Sequence, residues 1–407
     1  MPLIVQKYGG SSVADPEKIR DVARRVARAQ AAGDRLVVVV SAMGDTTDDL
    51  ISLAHRVCAN PSDREIDMLL STGEQVTAAL LAMALHDLGV DVISMTGGQV
   101  GIVTDGTHRS AKIREISTSK IEEHLARGAV VVVAGFQGVD EDLDITTLGR
   151  GGSDTTAVAL AAALKADVCR IYKDVDGVYT ADPRLVPAAR KIDRISYDEM
   201  LEMASLGAQV IQSRSVEFAK KFGIAVEVLS SFNDGPGTIL SGEGEEMEDL
   251  VIRGVTVDRG EAKLTIQRVP DRPGIAAAIF KTMAEENVNV DMIIQNVSED
   301  GFTDVSFTVA SEDFGKALRG LERMAASIGA KGVTSNKAIA KVSVVGVGMR
   351  SHKGVASAMF EALAREGINI KMISTSEIKI SCVVDEADAG RAARAVHSAF
   401  GLDRDRR

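Results

Sequence analysis

The segment Thr147-Leu-Gly-Arg-Gly-Gly-Ser-Asp-Thr-Thr-Ala157 sets two glycines, an arginine and a Ser-Asp pair at the mouth of an Ala/Leu-rich stretch, Thr155 to Lys165, that reads as a helix. A helix N-terminus has free backbone N–H groups and a partial positive charge, so it holds anions. Gly151 and Gly152 let a ligand approach the backbone closely. Arg150 offers a planar fork that fits a carboxylate or a pair of phosphate oxygens. A plain capped helix start needs neither the arginine nor both glycines, so these residues point to a site for an anionic substrate. A second glycine pair lies in Lys7-Tyr-Gly-Gly-Ser-Ser12. A lysine at a strand end before such a turn suits a phosphate cradle, and taken alone the same residues also fit a structural turn. No G-x-x-x-x-G-K-[ST] run occurs, which excludes the P-loop signature but not nucleotide binding.

Two further segments carry polar chemistry. Lys173-Asp-Val-Asp-Gly-Val-Tyr-Thr-Ala-Asp-Pro-Arg184 follows a strand-like run, and its carboxylates and Arg184 are suited to framing a magnesium nucleotide. Its spacing resembles a calcium loop, but Val175, Val178 and Tyr179 occupy ligand positions. Ser71-Thr-Gly-Glu-Gln75 interrupts a helical stretch; Glu74 fits either a solvated helix carboxylate or a partner for a substrate ammonium. Val344-Val-Gly-Val-Gly-Met-Arg-Ser351 begins like a dinucleotide fingerprint, but its third glycine is Ser351 and no acidic residue follows suitably. The six histidines form no H-x-x-x-H or H-x-E pattern, so zinc is unsupported, and no G-x-S-x-G elbow occurs.

The elements that must position these residues can be read from the rest of the 407-residue chain, long enough for two or three domains. The net charge of −11 argues against nucleic-acid binding, and it means that a small anionic substrate needs local cations. Trp is absent and aromatic residues make up 3%, so base-stacking platforms are not expected. Cys58, Cys169 and Cys382 are scattered and read as reduced, buried thiols of a cytosolic protein. The N-terminus is too short for a signal h-region, and no apolar stretch approaches the ~20 residues of a membrane span. Strands are predicted at Leu3–Lys7, Leu36–Ser41, Val92–Met95, Val130–Ala134, Val168–Tyr172 and Ala225–Leu229. Helices are predicted at Pro16–Ala32, with Asp15 as cap, and at Ile66–Leu88, broken near Thr72-Gly73. Alternating strands and helices imply a doubly wound α/β sheet whose ligands sit at the carboxyl ends of strands. Lys7, Ser41, Gly135 and Lys173 all fall at or just after such ends.

Asn233-Asp-Gly-Pro-Gly237 and the Gly/Glu run from Gly242 to Asp249 mark a boundary. The expected division is a domain over 1–241, a linker over 242–261 and two α+β modules over 262–340 and 341–407, either sequential or interleaved. The modules rest on an internal repeat: Asp271–Ile293 aligns with Ser351–Ile373 at a constant offset of 80, with Gly274/Gly354, Phe280/Phe360, Asn289/Asn369 and Met292/Met372 identical. Such a tandem fits ligand sensing or a dimerisation platform.

Taken in order, these motifs resemble those of the monofunctional aspartate kinases of the amino-acid kinase superfamily, with paired C-terminal ACT modules of ferredoxin-like fold. Lys7-Tyr-Gly-Gly-Ser-Ser, Val39-Val-Ser-Ala-Met43, Ser71-Thr-Gly-Glu74, Ala134-Gly-Phe-Gln-Gly138, Thr147–Asp154, Asp174–Arg184 and Arg214-Ser-Val-Glu217 carry the likeness, which spans essentially the whole chain. The resemblance implies transfer of the γ-phosphoryl group of ATP, with Mg²⁺, to the side-chain carboxylate of L-aspartate, opening the route to lysine, threonine, methionine and diaminopimelate. It implies that Lys7 neutralises the transferring phosphoryl group and that Tyr8, Gly9, Gly10 and Ser11 lie at the phosphates. Arg150 would bind the aspartate α-carboxylate and Glu74 its ammonium. Ser41, Thr47, Gly151, Gly152 and Ser153 would line the substrate side, with Asp154 organising the helix mouth. Lys173, Asp174, Tyr179, Asp182 and Arg184 would hold the nucleotide, and the metal would be held mainly through ATP phosphates.

Lys173 stands where many similar proteins carry Ser or Thr, and Gln209 where many carry Lys. Lysine and threonine are the implied effectors. Asp271, Arg272, Gly274, Ile275, Ala276, Asn289, Val290, Asp291 and Gln295 match the effector region of the first module, and Val355, Ala356, Asn369, Ile370 and Ser376 that of the second. A homo-oligomer is implied, or an α2β2 assembly with a shorter subunit started at Met247. Another amino-acid kinase is disfavoured by the Ser71-Thr-Gly-Glu block and the ACT pair. A non-catalytic sensor is disfavoured by the intact Lys7, Arg150 and Asp154.

Overall fold

The run Arg35-Leu-Val-Val-Val-Val40 buries every residue after the arginine, as a parallel strand covered on both faces must. The computed structural model describes residues 1–208, 210–242, 252–296, 300–350 and 352–404. They divide into two units. The first contains Met1–Val178, Lys191–Ala204 and the described residues from 210 to 242. Its elements are β1 (Leu3–Tyr8), α1 (Pro16–Ala31), β2 (Arg35–Val40), α2 (Thr46–Val57), α3 (Asp63–Asp87), β3 (Val92–Met95), β4 (Ile102–Thr104), β5 (Ile113–Ile116), α4 (Ser119–Ala126), β6 (Val130–Ala134), β7 (Gln137–Val139), β8 (Ile145–Thr147), α5 (Gly152–Leu164), β9 (Val168–Lys173), β10 (Arg194–Ser196), α6 (Tyr197–Ser205), α7 (Ser213–Phe222), β11 (Val226–Ser230) and β12 (Thr238–Ser241).

The main sheet runs β10-β12-β11-β9-β1-β2-β6-β3. Strands β11, β9, β1, β2, β6 and β3 are mutually parallel, and β12 turns back against β11. Alternate residues of β1 and β2 (Ile4, Tyr8, Leu36, Val38, Val40) pack with Ile19, Val22 and Val26 of α1 and Ala78, Leu81 and Leu85 of α3. The four central strand ends lie side by side in the order β9, β1, β2, β6, so Lys173, Lys7, Ser41 and Gly135 share one edge of the sheet, as the doubly wound reading expects. A small second sheet, β5-β4-β7-β8, has no forecast in the sequence.

Two expectations about helices change. Helix α3 is continuous through Thr72-Gly73. Gly73 is there for close approach: a Cβ at this position would stand 2.8 Å from the Cβ of Ala42. Helix α5 starts at Gly152, earlier than Thr155, with Gly151 in the left-handed region at φ 69°. By length and composition α3 is, among the described residues, the one helix able to cross a membrane. It nevertheless carries the buried charges Asp67 and Glu74 and turns Leu81 and Leu85 into the core. Cys169 and Cys382 are buried free thiols, while Cys58 is exposed, unlike the expected three buried ones.

The second unit contains the described residues from 252 onward together with Tyr179–Arg190 and Ser205–Ala208. Tyr179–Arg190 falls outside the expected 1–241 grouping because Ala181 and Val186 are enclosed in an apolar core with Val342, Leu363 and Val396, and Ser205–Ala208 because Gly207 lies close against Val257, where a Cβ would stand 2.9 Å from the Val257 carbonyl. Its elements are β13 (Gly254–Asp258), β14 (Glu261–Pro270), α8 (Ile275–Glu285), β15 (Val290–Gln295), β16 (Phe302–Ala310), α9 (Phe314–Ile328), β17 (Gly332–Asn336), β18 (Ile339–Val345), α10 (Val355–Arg365), β19 (Met372–Thr375), β20 (Lys379–Asp385) and α11 (Ala389–Ala399). Two antiparallel sheets result, β15-β16-β14-β17 and β13-β18-β20-β19.

The repeat is therefore structural, with one permutation. The strand beside β14 follows its module (β17), whereas the strand beside β18 precedes both modules (β13). Residues 254–258, expected within the linker, are a sheet strand of the second module, and the modules interleave. The proposed internal start Met247, and Gln209, lie outside the described residues.

The two modules meet through equivalent positions. Met292 and Met372 pack together with Ile339 and Val383. Lys341, buried, sits against Glu261, its counterpart at the repeat offset. It also reaches Asp291 at 2.7 Å and Asp258 at 3.9 Å. Burial disfavours the ammonium, but Glu261 and Asp291 outweigh this and raise its pKa.

Candidate active site

The site is assembled where β1, β2, β6 and β9 end. Lys7 leaves β1 with its side chain 5% exposed, and its Nζ lies 2.5 Å from Oδ1 of Asp154. Asp154 sits in the first turn of α5, where the helix favours a carboxylate. Its other oxygen accepts from Nζ of Lys173 at 2.8 Å. Burial would raise the Asp154 pKa, but the two lysines overcome it and bring it to about 2. Burial lowers the Lys7 pKa to about 8 against the pull of Asp154, and neighbouring Lys173 adds to the lowering.

The glycine turn is shaped by crowding. Gly9 donates its N–H to the Tyr172 carbonyl at 3.3 Å. A Cβ on Gly10 would stand 3.0 Å from the Ala42 carbonyl and 3.1 Å from that of Gly44. Ser11 is exposed beside them. Tyr8 is placed differently from the expectation of a phosphate contact. Its ring is fully buried and stacked on Tyr172 at 4.6 Å, and its carbonyl accepts from the Ser41 N–H.

Glu74 enters from α3. Its Oε1 accepts from the Ala42 N–H at 3.2 Å, at the end of β2. Its Oε2 is buried and has no hydrogen-bond partner among the described residues. Burial pushes its carboxyl up to about 7 against the Ala42 hydrogen bond. An orphaned carboxylate oxygen beside a lysine and a helix mouth fits a cationic group on a substrate. Ser41 and Thr47 are half-buried nearby in sequence, at the end of β2 and the first turn of α2.

The helix mouth is tightly packed. Gly151 holds a positive φ, and a Cβ there would overlap the Gln212 side chain; a Cβ on Gly152 would stand 2.8 Å from the Phe136 ring. Ser153 is buried, and a Cβ on Gly135 would lie 3.0 Å from its Cβ. Arg150 is exposed, and its guanidinium has no partner among the described residues. What fixes the loop carrying Arg150 is Asp67, which the sequence reading missed. Its buried carboxylate accepts from Thr147 Oγ1 at 2.6 Å, from the Thr147 N–H at 3.0 Å and from the Arg109 N–H at 2.9 Å, and it pairs with His108 at 2.9 Å. Arg214 clamps the same loop by donating to the Leu148 and Ala111 carbonyls. One helix face thus carries both Glu74 and the anchor for Arg150. Asp67, Ser71, Glu74 and Thr77, at helical spacing, are all buried polar residues, a signal present in the sequence but not used.

Asp174 is exposed just past β9. Tyr179, Asp182 and Arg184 lie in the segment that packs with the second unit, where Arg184 forks onto Asp182 at 2.9 Å. Among the described residues, no cluster of three or more His, Cys, Asp or Glu could hold a metal ion by itself. In the second unit Gly274 and Gly354 start α8 and α10 with φ of 91° and 96°. Ile275 and Val355 are buried behind them, and Ala276 and Ile370 are half-buried. Asp271, Arg272, Asn289, Gln295, Asn369 and Ser376 are exposed. Asp291, expected at an effector, has its carboxylate on Lys341.

The amino acid kinase family model matches residues 2–230, and ACT domain models match 264–326 and 342–400. An aspartate kinase of Pseudomonas putida is 57% identical over 404 residues, covering 99% of this chain and 98% of that one. Aspartokinase III of E. coli in complex with aspartate and ADP (R-state) superposes with a TM-score of 0.82 at 26% identity, over 98% of this chain and 99% of that one. The same enzyme in complex with lysine and aspartate (T-state) gives 0.77 at 26% identity, with the same coverage. The chain therefore belongs to the aspartate kinases of the amino acid kinase family, with two ACT domains after the kinase domain.

Proposed function

We propose that this chain transfers the γ-phosphoryl group of ATP to the side-chain carboxylate of L-aspartate, giving 4-phospho-L-aspartate and ADP, and that lysine, threonine or both inhibit it through the ACT domains. The observation that carries the reading is Glu74, buried with one unpartnered oxygen at the strand ends that also hold Lys7. The substrate ammonium would pair with that oxygen and draw Glu74 into its ionised form. Arg150 would take the α-carboxylate, leaving the side-chain carboxylate toward Lys7, with Ser41, Thr47 and Ser153 around it. That nucleophile is ionised at neutral pH, so no general base is required. Catalysis reduces to alignment and to charge on the transferring group, which Lys7 and the Gly9–Gly10 turn would supply. Magnesium, carried on the triphosphate, would neutralise phosphate oxygens, with Asp174 the protein carboxylate this reading gives to it.

The lysine-bound aspartokinase III supports lysine as an effector, and Asp291 on a first-module strand is its candidate contact. An oligomer, or an assembly with a shorter subunit, would place two such modules together. The reading places the enzyme in the cytosol at the entry to lysine, threonine, methionine and diaminopimelate synthesis. The test is ADP release by the purified chain with ATP, Mg²⁺ and L-aspartate, with and without lysine plus threonine. Aspartate-dependent turnover suppressed by the pair is expected. Turnover without suppression would overturn the regulatory half, and no turnover would overturn the catalytic half.

A further inference from the structure

Lys173 is the residue at which this chain carries a cation where many similar proteins carry a hydroxyl, and the structure gives that cation a position. In the β1/β9 pair Tyr8 faces Tyr172, so Lys173 stands one step beyond the end of β1, level with the Gly9–Gly10 turn. Its ammonium takes one oxygen of Asp154 at 2.8 Å while Lys7 takes the other at 2.5 Å. The Lys7 ammonium itself lies against that turn, 3.6 Å from where a Cβ on Gly9 would be. Asp154 is 1% exposed, and the Lys173 side chain is 20% exposed.

The charge balance decides what this arrangement can do. Lys7 and Asp154 alone form a buried neutral pair, which offers an arriving phosphoryl group a dipole and no net charge. Two ammoniums on one carboxylate carry a net charge of +1. In a poorly hydrated site that difference acts on the transferring group with little screening. With Lys173 hydrogen-bonded to one oxygen and Lys7 ion-paired at the other, the carboxylate is restrained from rotating, so the Lys7 ammonium is positioned in advance.

We propose that Lys173 is a positioning residue for phosphoryl transfer. It anchors one oxygen of Asp154 so that the other fixes Lys7, and it restores to the trio the positive charge that Asp154 removes. This deepens the aspartate kinase reading and rests on it for the identity of the acceptor, but its effect on the phosphoryl group does not depend on the acceptor.

The test compares the full chain with Lys173→Met, Lys173→Gln and Lys173→Arg. The first arm measures binding of Mg-ADP alone and of Mg-ADP with aluminium fluoride, a mimic of the transferring group, without aspartate. In Lys173→Met, ADP affinity should stay within about threefold, while the aluminium fluoride complex weakens roughly 10- to 100-fold. In the turnover arm kcat should fall by a similar factor, with the aspartate KM within about threefold, and Lys173→Arg should recover most of both. Lys173→Gln, which can still donate to Asp154, separates charge from hydrogen bonding and serves if the methionine variant fails to fold. Equal aluminium fluoride binding in wild type and Lys173→Gln, or an arginine variant as impaired as the neutral ones, would overturn the proposal. A wild-type chain that binds the mimic but shows no aspartate-dependent turnover would instead count against the acceptor.

Discussion

Glu74→Gln separates what this side chain costs the fold from what it would give the site. Glu74 is 3% exposed, and burial raises its pKa from 4.5 to about 7. Below pH 4.5 the folded and unfolded states both hold the proton, and the group is neutral to stability. Between 4.5 and 7 the unfolded chain releases its proton while the folded chain keeps it, so stability falls as pH rises. Above 7 the full penalty is present; at about 1.4 kcal/mol per pH unit it amounts to about 3 kcal/mol. Glutamine keeps an oxygen for the Ala42 N–H and carries no charge, but its buried amide N–H would lack a partner, at about 1 kcal/mol. The ligand-free variant should therefore be about 2 kcal/mol more stable than wild type at pH 8 and about as stable as wild type at pH 5, where the remaining carboxylate penalty and the amide cost cancel. Urea unfolding at both values reads this directly. In turnover assays the aspartate KM should rise roughly 10- to 100-fold, the worth of one charge-assisted hydrogen bond. A variant whose stability relative to wild type is the same at pH 5 and pH 8 would refute the reasoning, because the buried charge would then carry no cost.

Asp67→Asn turns one acceptor oxygen into a donor facing Thr147, Arg109 and His108. It should lower stability by about 2–4 kcal/mol, seen as a melting point lower by several degrees, and should raise the aspartate KM as the Arg150 loop loosens; an unchanged melting curve would count against Asp67 as the anchor. Gly73→Ala would gain about 1 kcal/mol of helix propensity but must push aside the Ala42 Cβ at 2.8 Å, so a net loss of about 1–2 kcal/mol is expected, with a weaker grip on aspartate through Glu74. A stabilised Gly73→Ala protein would show that the helix and the β2 end have room to part.

The strands were legible because parallel, doubly covered strands such as Val37–Val40 and Val130–Val133 can be built from little but aliphatic residues, and their ends located Lys7, Ser41, Gly135 and Lys173 on one edge. Glycine misleads once. Gly73 reads as a break and is a contact, because a sequence window does not show which backbone arrives from elsewhere. The short strands β4, β5, β7 and β8, three or four residues each, are too brief for a period to show. Strand β13 is invisible as a module strand because its partner β18 lies far along the chain. Asp67 is hard to single out in the sequence because a carboxylate among apolar helix residues is recognisable only when the whole face (67, 71, 74, 77) is followed, and its partners come from two distant loops. Of the residues expected at phosphates, Tyr8 shows the limit of motif reading: its ring belongs to the core.

The meeting of Glu261 with Lys341 has a consequence for pairing choice. The two positions are equivalent in the repeat, so the two modules face each other about an approximate twofold axis, and residues near such an axis meet their own counterparts. Methionine tolerates this, and Met292 and Met372 meet like with like. A charge does not. If two first modules paired in this manner, Glu261 would face Glu261; two second modules would set Lys341 against Lys341. Each like-charge encounter would be buried and uncompensated, while the mixed pair is satisfied. Opposite charges at equivalent positions of a duplicated sequence thus make each half prefer its sibling over its twin.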